Sequence, residues 1–281
     1  MGTIARALAA GVLISWTSGV AAAEPEWVNA RVVTDASHLE PDGALVIGVL
    51  LEMAPGWHIY WKNPGDSGLA TDVQLGLPPG FAAGPLLWPL PIEFSQPGNL
   101  IGYGYEGSVL LASEVRVPDR LPAQPLTVKV SVSWLACKDV CVLGSAELEE
   151  TLPLEAETVE RDAAEVARWR SNLPQPAASS DLPFELSTTG GLDPEARGGE
   201  LSLWLRWPSA PSGVECFPEP GDRLKVSNPK VQTRGSLSRI DVELTRVGSG
   251  ADAAEYLPSL VVFNDESGAQ RGVEINVPIN N

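Results

Sequence analysis

The segment Val128-Lys129-Val130-Ser131-Val132-Ser133-Trp134-Leu135-Ala136-Cys137-Lys138-Asp139-Val140-Cys141-Val142-Leu143-Gly144-Ser145-Ala146-Glu147-Leu148-Glu149 decides the fold class. Apolar residues recur at every second position on both sides of the two cysteines, the period of a strand with one buried face. Setting Cys137 opposite Cys141 predicts a hairpin with Val132 against Ala146, Val130 against Leu148 and Lys129 against Glu149. One face is then apolar throughout and the other carries an opposite-charge pair, as a correct register requires. In that register both cysteines share the face of Ser131, Ser133 and Ser145, so the sulfurs are expected to be adjacent and reachable, outside the core. Val140 is an awkward occupant of the left-handed position common in such short tips, and a strained closure favours reduction.

Outward from the hairpin, residues 27 to 154 are short alternating apolar runs broken by Gly and Pro, among them Ala44 to Met53, Trp57 to Trp61 and Val109 to Val117. Such spacing predicts an all-β sandwich. Thr158 to Leu173 instead carries Val159, Ala163, Val166 and Trp169 at steps of three and four, which predicts a helix ending before Pro174-Gln175-Pro176 and a polar linker through Asp181. Strand-like runs resume at Phe184 to Thr188, Leu201 to Trp207, Leu224 to Thr233, Leu237 to Leu244, Leu257 to Phe263 and Val273 to Val277. The expected organisation is a leader over 1–23, a β-sandwich over 24–155, a helical connector and linker over 156–181, and a second β-sandwich over 182–281.

The leader expectation rests on Arg6, the apolar run Ala7 to Ile14 and the small residues Ala21-Ala22-Ala23 ahead of Glu24, the pattern of a cleavable export signal. The apolar run is too short to span a bilayer, and the most apolar later stretch, Ala82 to Ile92, is interrupted by Pro85, Pro89 and Pro91. A periplasmic protein without a membrane span after signal cleavage is expected, in a compartment where disulfides persist. The 281 residues carry 36 acidic against 19 basic side chains, a net charge of -17 that argues against nucleic acid and anionic lipid as partners. With two His and two Met in the chain, neither a metal cage nor another cofactor is expected.

Two readings of the cysteine pair stand side by side. One is a fixed staple at the tip of a hairpin, the ordinary role of two cysteines in an exported chain. The other is a reversible disulfide, because thiol exchange needs a sulfur that an incoming thiolate can approach in line. So small a loop gains little from closure, a core of this size folds without it, and the strand parity points the sulfurs outward. Lys138 favours a thiolate by its charge while Asp139 opposes it.

The stretch Pro55-Gly56-Trp57-His58-Ile59-Tyr60-Trp61-Lys62-Asn63-Pro64-Gly65-Asp66-Ser67-Gly68, the stretch Gly102-Tyr103-Gly104-Tyr105-Glu106-Gly107 and the Trp134 to Gly144 segment together resemble the N-terminal periplasmic domain of the DsbD family of thiol:disulfide interchange proteins, including its ScsB-like, copper-sensitivity-suppressor branch. The resemblance implies an immunoglobulin-like sandwich that takes electrons from a thioredoxin-like protein and passes them to other exported thiol-disulfide proteins. It implies that Cys137 and Cys141 are the redox pair, that His58 and Tyr60 lie beside it, and that Glu93 to Gly107 contains a lid with Phe94 or Tyr103 as the shield. Members of the family continue into a membrane electron carrier and a thioredoxin-like domain, so here such partners are expected in trans. A second β-domain, as in the ScsB-like branch, fits residues 182–281. The rival function is a non-catalytic two-domain binding or assembly module, in copper stress for instance, holding the disulfide as a staple; a copper-thiolate role is a third.

Other candidates have plainer readings. Cys216 is read as a small buried hydrophobe rather than a resolving thiol. His58 is either a proton donor to a leaving thiolate or a packed ring. Trp57, Ile59 and Trp61 point away from His58 into the core, and Asp66 serves the chain reversal that Pro64-Gly65 and Gly68 allow.

Overall fold

Alternating apolar residues can bury one face of a strand only against a second sheet, and the chain satisfies that demand twice. The computed structural model describes residues 27–36, 38–121, 126–152, 162–176, 182–192, 197–247 and 256–279. The leader expected over 1–23, Val159 and the linker 177–181 lie outside these residues.

The first sandwich contains β1 (Val28–Thr34), β2 (Ala44–Met53), β3 (His58–Gly65), β4 (Asp72–Gly76), β5 (Ala82–Ala83), β6 (Ile92–Gln96), β7 (Leu100–Glu106), β8 (Ser108–Arg116), β9 (Leu126–Cys137) and β10 (Cys141–Leu152). One sheet runs β1-β2-β8-β5; the other runs β10-β9-β3-β7-β6, with β4 also paired to β9. Ile47, Leu51, Ile59, Trp61, Leu111, Val128 and Val130 fill the space between them. The β9–β10 register is the one the sequence predicts, Cys141 opposite Cys137 and Lys129 opposite Glu149, whose charges meet at 2.8 Å. Val140 is not among the described residues with positive φ, so the tip does without the left-handed valine that was expected.

The helix α1 (Ala163–Ser171) buries Val166 and Trp169, two of the residues whose spacing predicts it. They pack with Val33, Val46, Leu110 and Ala112 on the outer face of the first sandwich. Arg31 bonds Asp162 at 2.9 Å just ahead of the helix, and Arg170 reaches Asp35 at 3.5 Å. The connector is therefore docked on the first domain. Pro174-Gln175-Pro176, read from sequence as the start of the linker, is partly strand: β11 (Gln175–Pro176) pairs in parallel with the last strand of the second domain. Proline is tolerated there because β11 is a sheet edge.

The second sandwich follows with β12 (Glu185–Gly190), β13 (Gly198–Arg206), β14 (Ser212–Pro218), β15 (Leu224–Val226), β16 (Lys230–Arg234), β17 (Leu237–Arg246), β18 (Tyr256–Asn264) and β19 (Gln270–Pro278). Its sheets run β11-β19-β18-β14 and β12-β13-β17-β15, with β16 also on β17. The expected Leu224 to Thr233 run is two strands, and β14 was not anticipated: Pro208, Pro211 and Gly213 interrupt its apolar pattern, and its register shifts between Ser212 and Glu215. The chain is thus all-β in two sandwiches, with one described helix between them.

The two sandwiches share a packed interface. Phe217 on β14 is fully buried and belongs to the core of the first domain, its ring 5.0 Å from Tyr103 and 6.0 Å from Trp61. Asn63 donates to the Pro218 carbonyl at 2.6 Å, Lys62 pairs with Glu219 at 2.7 Å, and Asn228 donates to Asp66 at 2.7 Å. The back of strand β3 thus rests on the second domain while its front faces the cysteines.

Candidate functional site

Cys137 ends β9 and Cys141 begins β10, so the hairpin that sets their register also sets the sulfurs side by side, and they form a disulfide. Their environments differ. Cys141 is exposed, whereas Cys137 is buried at 3% exposure. The sequence reading placed both sulfurs on a reachable face; the face is correct up to Leu135, but other elements cover the Cys137 end of it. β3 pairs with β9 there, bringing His58 directly opposite Cys137. Two residues on, the Tyr60 hydroxyl donates to the Cys137 sulfur at 3.4 Å.

Strand β6 packs against the His58 and Tyr60 side chains. Phe94 and Gln96 lie two positions apart, hence on one face of that strand. The Phe94 ring sits 4.0 Å from His58 and 5.7 Å from Tyr60. Gly102, paired with Phe94 across β6 and β7, is what makes room for this: a Cβ there would collide with both the Phe94 ring and the Gln96 amide. Behind Tyr60, Gly68 adopts φ +113 and lies against the phenol ring, where any side chain would clash. Gly68 and Gly102 therefore make room for the Tyr60, Phe94 and Gln96 side chains, while Gly65 and Gly104 let the backbone approach Ile101 and Ile59 closely.

Of the two shield candidates, Phe94 stands over the His58–Tyr60 pair and Tyr103 does not. Strand alternation sends Tyr103 to the opposite face, where it is 1% exposed, touches Phe217 and donates to Asn228 of the second domain at 3.3 Å. Lys138 is not aimed at the sulfurs: its ammonium donates to the Pro55 carbonyl at 3.2 Å, folding the side chain over the Pro55-Gly56 turn. Asp139 is exposed at the tip. Trp57, Ile59 and Trp61 point into the core as expected. Asp66 ties its turn to β7, accepting from the Ile101 amide at 2.9 Å and donating its own amide to the Ile101 carbonyl.

The electrostatics favour neutral donors around the buried sulfur. Burial holds the His58 pKa below its ordinary value, more than the nearby Glu106 raises it, so at neutral pH the imidazole contributes no positive charge. Burial pushes the Tyr60 pKa up, with the Gln96 hydrogen bond opposing in part, so the phenol keeps its proton and remains a donor. The His58 Nε2 is buried without a hydrogen-bond partner. Cys216 is buried, its thiol pushed up to about 12 by desolvation, as befits an inert core residue. Among the described residues, no three His, Cys, Asp or Glu side chains converge as metal ligands would. Nor, among them, is any helix long and apolar enough to cross a membrane.

The sequence reading missed Gln96 and Ser67. Ser67 donates to Gln96 at 2.5 Å, and Gln96 donates to the Tyr60 hydroxyl at 3.0 Å. Parity with Phe94 was the available signal for Gln96; nothing local marks Ser67.

Residues 24–153 match the family described as thiol:disulfide interchange protein DsbD, N-terminal. Among solved structures, the N-terminal periplasmic domain of ScsB from Proteus mirabilis aligns with a TM-score of 0.65 at 17% identity, over 92% of this chain and 97% of that one. A protein of unknown function from Porphyromonas gingivalis W83 aligns over 90% of this chain and 99% of its own at 10% identity, with a TM-score of only 0.22. The periplasmic chaperone SfaE aligns over 89% and 100% at 10% identity, with a TM-score of 0.21. Scores so low carry no structural argument. No curated protein matches the chain. The ScsB likeness shows that the two-sandwich arrangement is a shared fold, and the family match falls on the half that holds the disulfide. Residues 24–153, with their cysteine pair at a hairpin tip, belong to the N-terminal domain family of the thiol:disulfide interchange protein DsbD.

Proposed function

We propose that this chain is a periplasmic thiol-disulfide relay that accepts electrons from a thioredoxin-like protein and delivers them to exported disulfide proteins. The observation that carries the reading is the asymmetry of the pair, an exposed Cys141 bonded to a Cys137 buried beneath Tyr60. A partner thiolate attacks the Cys141 sulfur in line with the S–S bond. The bond breaks, its electron pair stays on Cys137, and the Tyr60 hydroxyl hydrogen-bonds the emerging thiolate. The second thiolate of the partner then attacks the partner's own sulfur in the mixed disulfide and releases Cys141. The partner leaves oxidised; this chain holds two thiols once two protons are taken up. Delivery runs in reverse, with the Cys141 thiolate attacking a client disulfide and Cys137 resolving the intermediate.

The surroundings of Cys141 suit a visiting protein. Val140, Val142 and Leu143 at the tip are 62%, 40% and 71% exposed, and Leu69 at 56% shares a groove with Trp134 and Leu143. Half of the large exposed hydrophobic side chains among the described residues are these four, beside the accessible sulfur, and such a patch marks an interaction surface. Membrane and thioredoxin-like electron donors act in trans in this reading.

Equilibration of the full chain with glutathione buffers tests it. A midpoint within reach of thioredoxin-like proteins supports the relay; one below about -300 mV, the range of structural bridges, refutes it and leaves the binding-module reading.

A further inference from the structure

Three features outside the redox pair offered a role: a cleft of about 830 Å³ between β12 and β19 of the second domain, a smaller cavity beside Trp169, and the polar chain behind Tyr60. The two cavities present no converging set of buried polar groups that names a ligand. The polar chain has direction, and direction carries a consequence.

We infer that Gln96 is a positioning residue whose amide, oriented by Ser67, turns the Tyr60 hydroxyl into an obligate proton donor toward Cys137. The Ser67 hydroxyl donates to Gln96 Oε1 at 2.5 Å, which turns the NH2 end of the amide toward Tyr60. Gln96 Nε2 then donates to the phenolic oxygen at 3.0 Å. With that lone pair occupied, the single phenolic proton points to the Cys137 sulfur at 3.4 Å. A flipped amide would reverse the chain: Tyr60 would donate to Gln96 and the sulfur would lose its donor. Gly102 and Gly68 leave the space that the Gln96 amide and the Tyr60 ring occupy. The chain joins the turn after β3, the cover strand β6 and the sulfur, so the cover and the leaving-group donor are one hydrogen-bonded unit.

This role rests on the relay reading, because a donor at Cys137 matters only if that sulfur departs as a thiolate. When the S–S bond opens, its electron pair localises on Cys137, and a hydrogen bond to an ionised acceptor is stronger than one to the disulfide sulfur. The polarised Tyr60 thus lowers the barrier to attack at Cys141 and stabilises the reduced pair.

The test uses the full-length chain and compares Gln96→Glu, Gln96→Ala, Ser67→Ala, Tyr60→Phe and the double variant Gln96→Ala/Tyr60→Phe. The rate of reduction by dithiothreitol and the glutathione equilibrium are both read. Glutamate offers only acceptors, so Gln96→Glu draws the phenolic proton away from sulfur; reduction is expected to slow by about 10- to 100-fold, as for Tyr60→Phe, with the equilibrium displaced toward the disulfide. Ser67→Ala gives a smaller loss, and Gln96→Ala has no further effect in the Tyr60→Phe background. Unchanged rates in Gln96→Glu, or a Gln96→Ala effect that persists without the Tyr60 hydroxyl, overturns the positioning role. A faster reduction of Gln96→Ala in both backgrounds also overturns it, since the side chain then only holds the cover shut. A structural-range midpoint in the unsubstituted chain refutes the relay instead, while the dithiothreitol rates still report on Gln96.

Discussion

The Tyr60 hydroxyl donates to the sulfur of Cys137, while Cys141, bonded to that same sulfur, is exposed at the hairpin tip. One sulfur is therefore placed to be attacked and the other to leave, since exchange is fast when the leaving thiolate is stabilised and the attacked sulfur is accessible. The division of labour follows from topology. Cys141 opens the edge strand β10, and Cys137 closes β9 where β3 crosses beside it.

Tyr60→Phe removes the donor without changing the ring that fills the space against Gly68. Hydrogen bonds to charged groups are worth about 1.5–3 kcal/mol, so reduction by a small dithiol should slow by about 10- to 100-fold. Thermal stability should change little beside that. Stopped-flow or quenched-flow reduction with matched melting curves checks it; equal rates would remove Tyr60 from the mechanism.

Single-cysteine variants separate the two sulfurs. With Cys137→Ser, the remaining Cys141 is exposed and should form mixed disulfides with thioredoxin-like proteins in an exporting cell. With Cys141→Ser, the remaining Cys137 lies at 3% exposure and should trap far less. Non-reducing gels of the two variants expressed equally give the comparison, and equal trapping would contradict the burial asymmetry.

Phe94→Ala opens the cover over His58 and Tyr60. The ring is half-buried and its contacts are with the site, so the stability cost should be about 1 kcal/mol, below that of a core Phe→Ala change. If Phe94 is the shield, alkylation of Cys137 in the reduced protein should accelerate several-fold, because the ring packed on His58 and Tyr60 beside that sulfur is gone. Mass spectrometry of a timed iodoacetamide reaction resolves the site; an unaltered Cys137 rate would mean that Phe94 shields nothing.

The β9–β10 hairpin was legible to the residue, because period-two alternation over two strands leaves one register that buries Val130 and Val132 together. The same alternation, applied to Gly102-Tyr103-Gly104-Tyr105, already implies that the tyrosines share a face opposite the bare backbone; a shield at Tyr103 conflicts with it once Phe94 pairs with Gly102. The burial of Cys137 was not legible, since it involves His58 and Tyr60 on β3, which arrives from elsewhere in the chain. The interdomain contact was hidden for the same reason: nothing in Cys216-Phe217-Pro218 says that the ring is inserted between Trp61 and Tyr103 of another domain.

His58 gives the site a pH signature. Its pKa in the folded chain is lowered from 6.5 by burial, so below that value the unfolded chain binds more protons than the folded one and acid favours unfolding. The stability associated with neutral His58 is full above the unfolded pKa and is lost as pH falls below it toward the folded pKa. His58→Phe, which cannot titrate, should show a flatter stability profile over that window. Urea midpoints at neutral and mildly acidic pH check the slope, and parallel profiles for the two proteins would exclude His58 as its source.

Phe217 ties the second domain to the strand that carries Tyr60. It is fully buried between Trp61 and Tyr103, and Trp61 is the next residue after Tyr60 on β3. Phe217→Ala removes a large side chain from a site that two rigid aromatic rings keep open, so the expected loss is about 3–5 kcal/mol. Lys62→Met removes the partly exposed pairs with Glu219 and Glu274 and the ammonium's contact with the Trp61 ring, and should cost about 1 kcal/mol, because solvent screens those pairs. If the second domain serves as a support for the redox sheet, hydrogen exchange in Phe217→Ala should rise on β3 and β7 as well as on β14. A rise confined to β14 would show instead that the first domain holds the site without help, and that the interface stabilises only the domain that follows it.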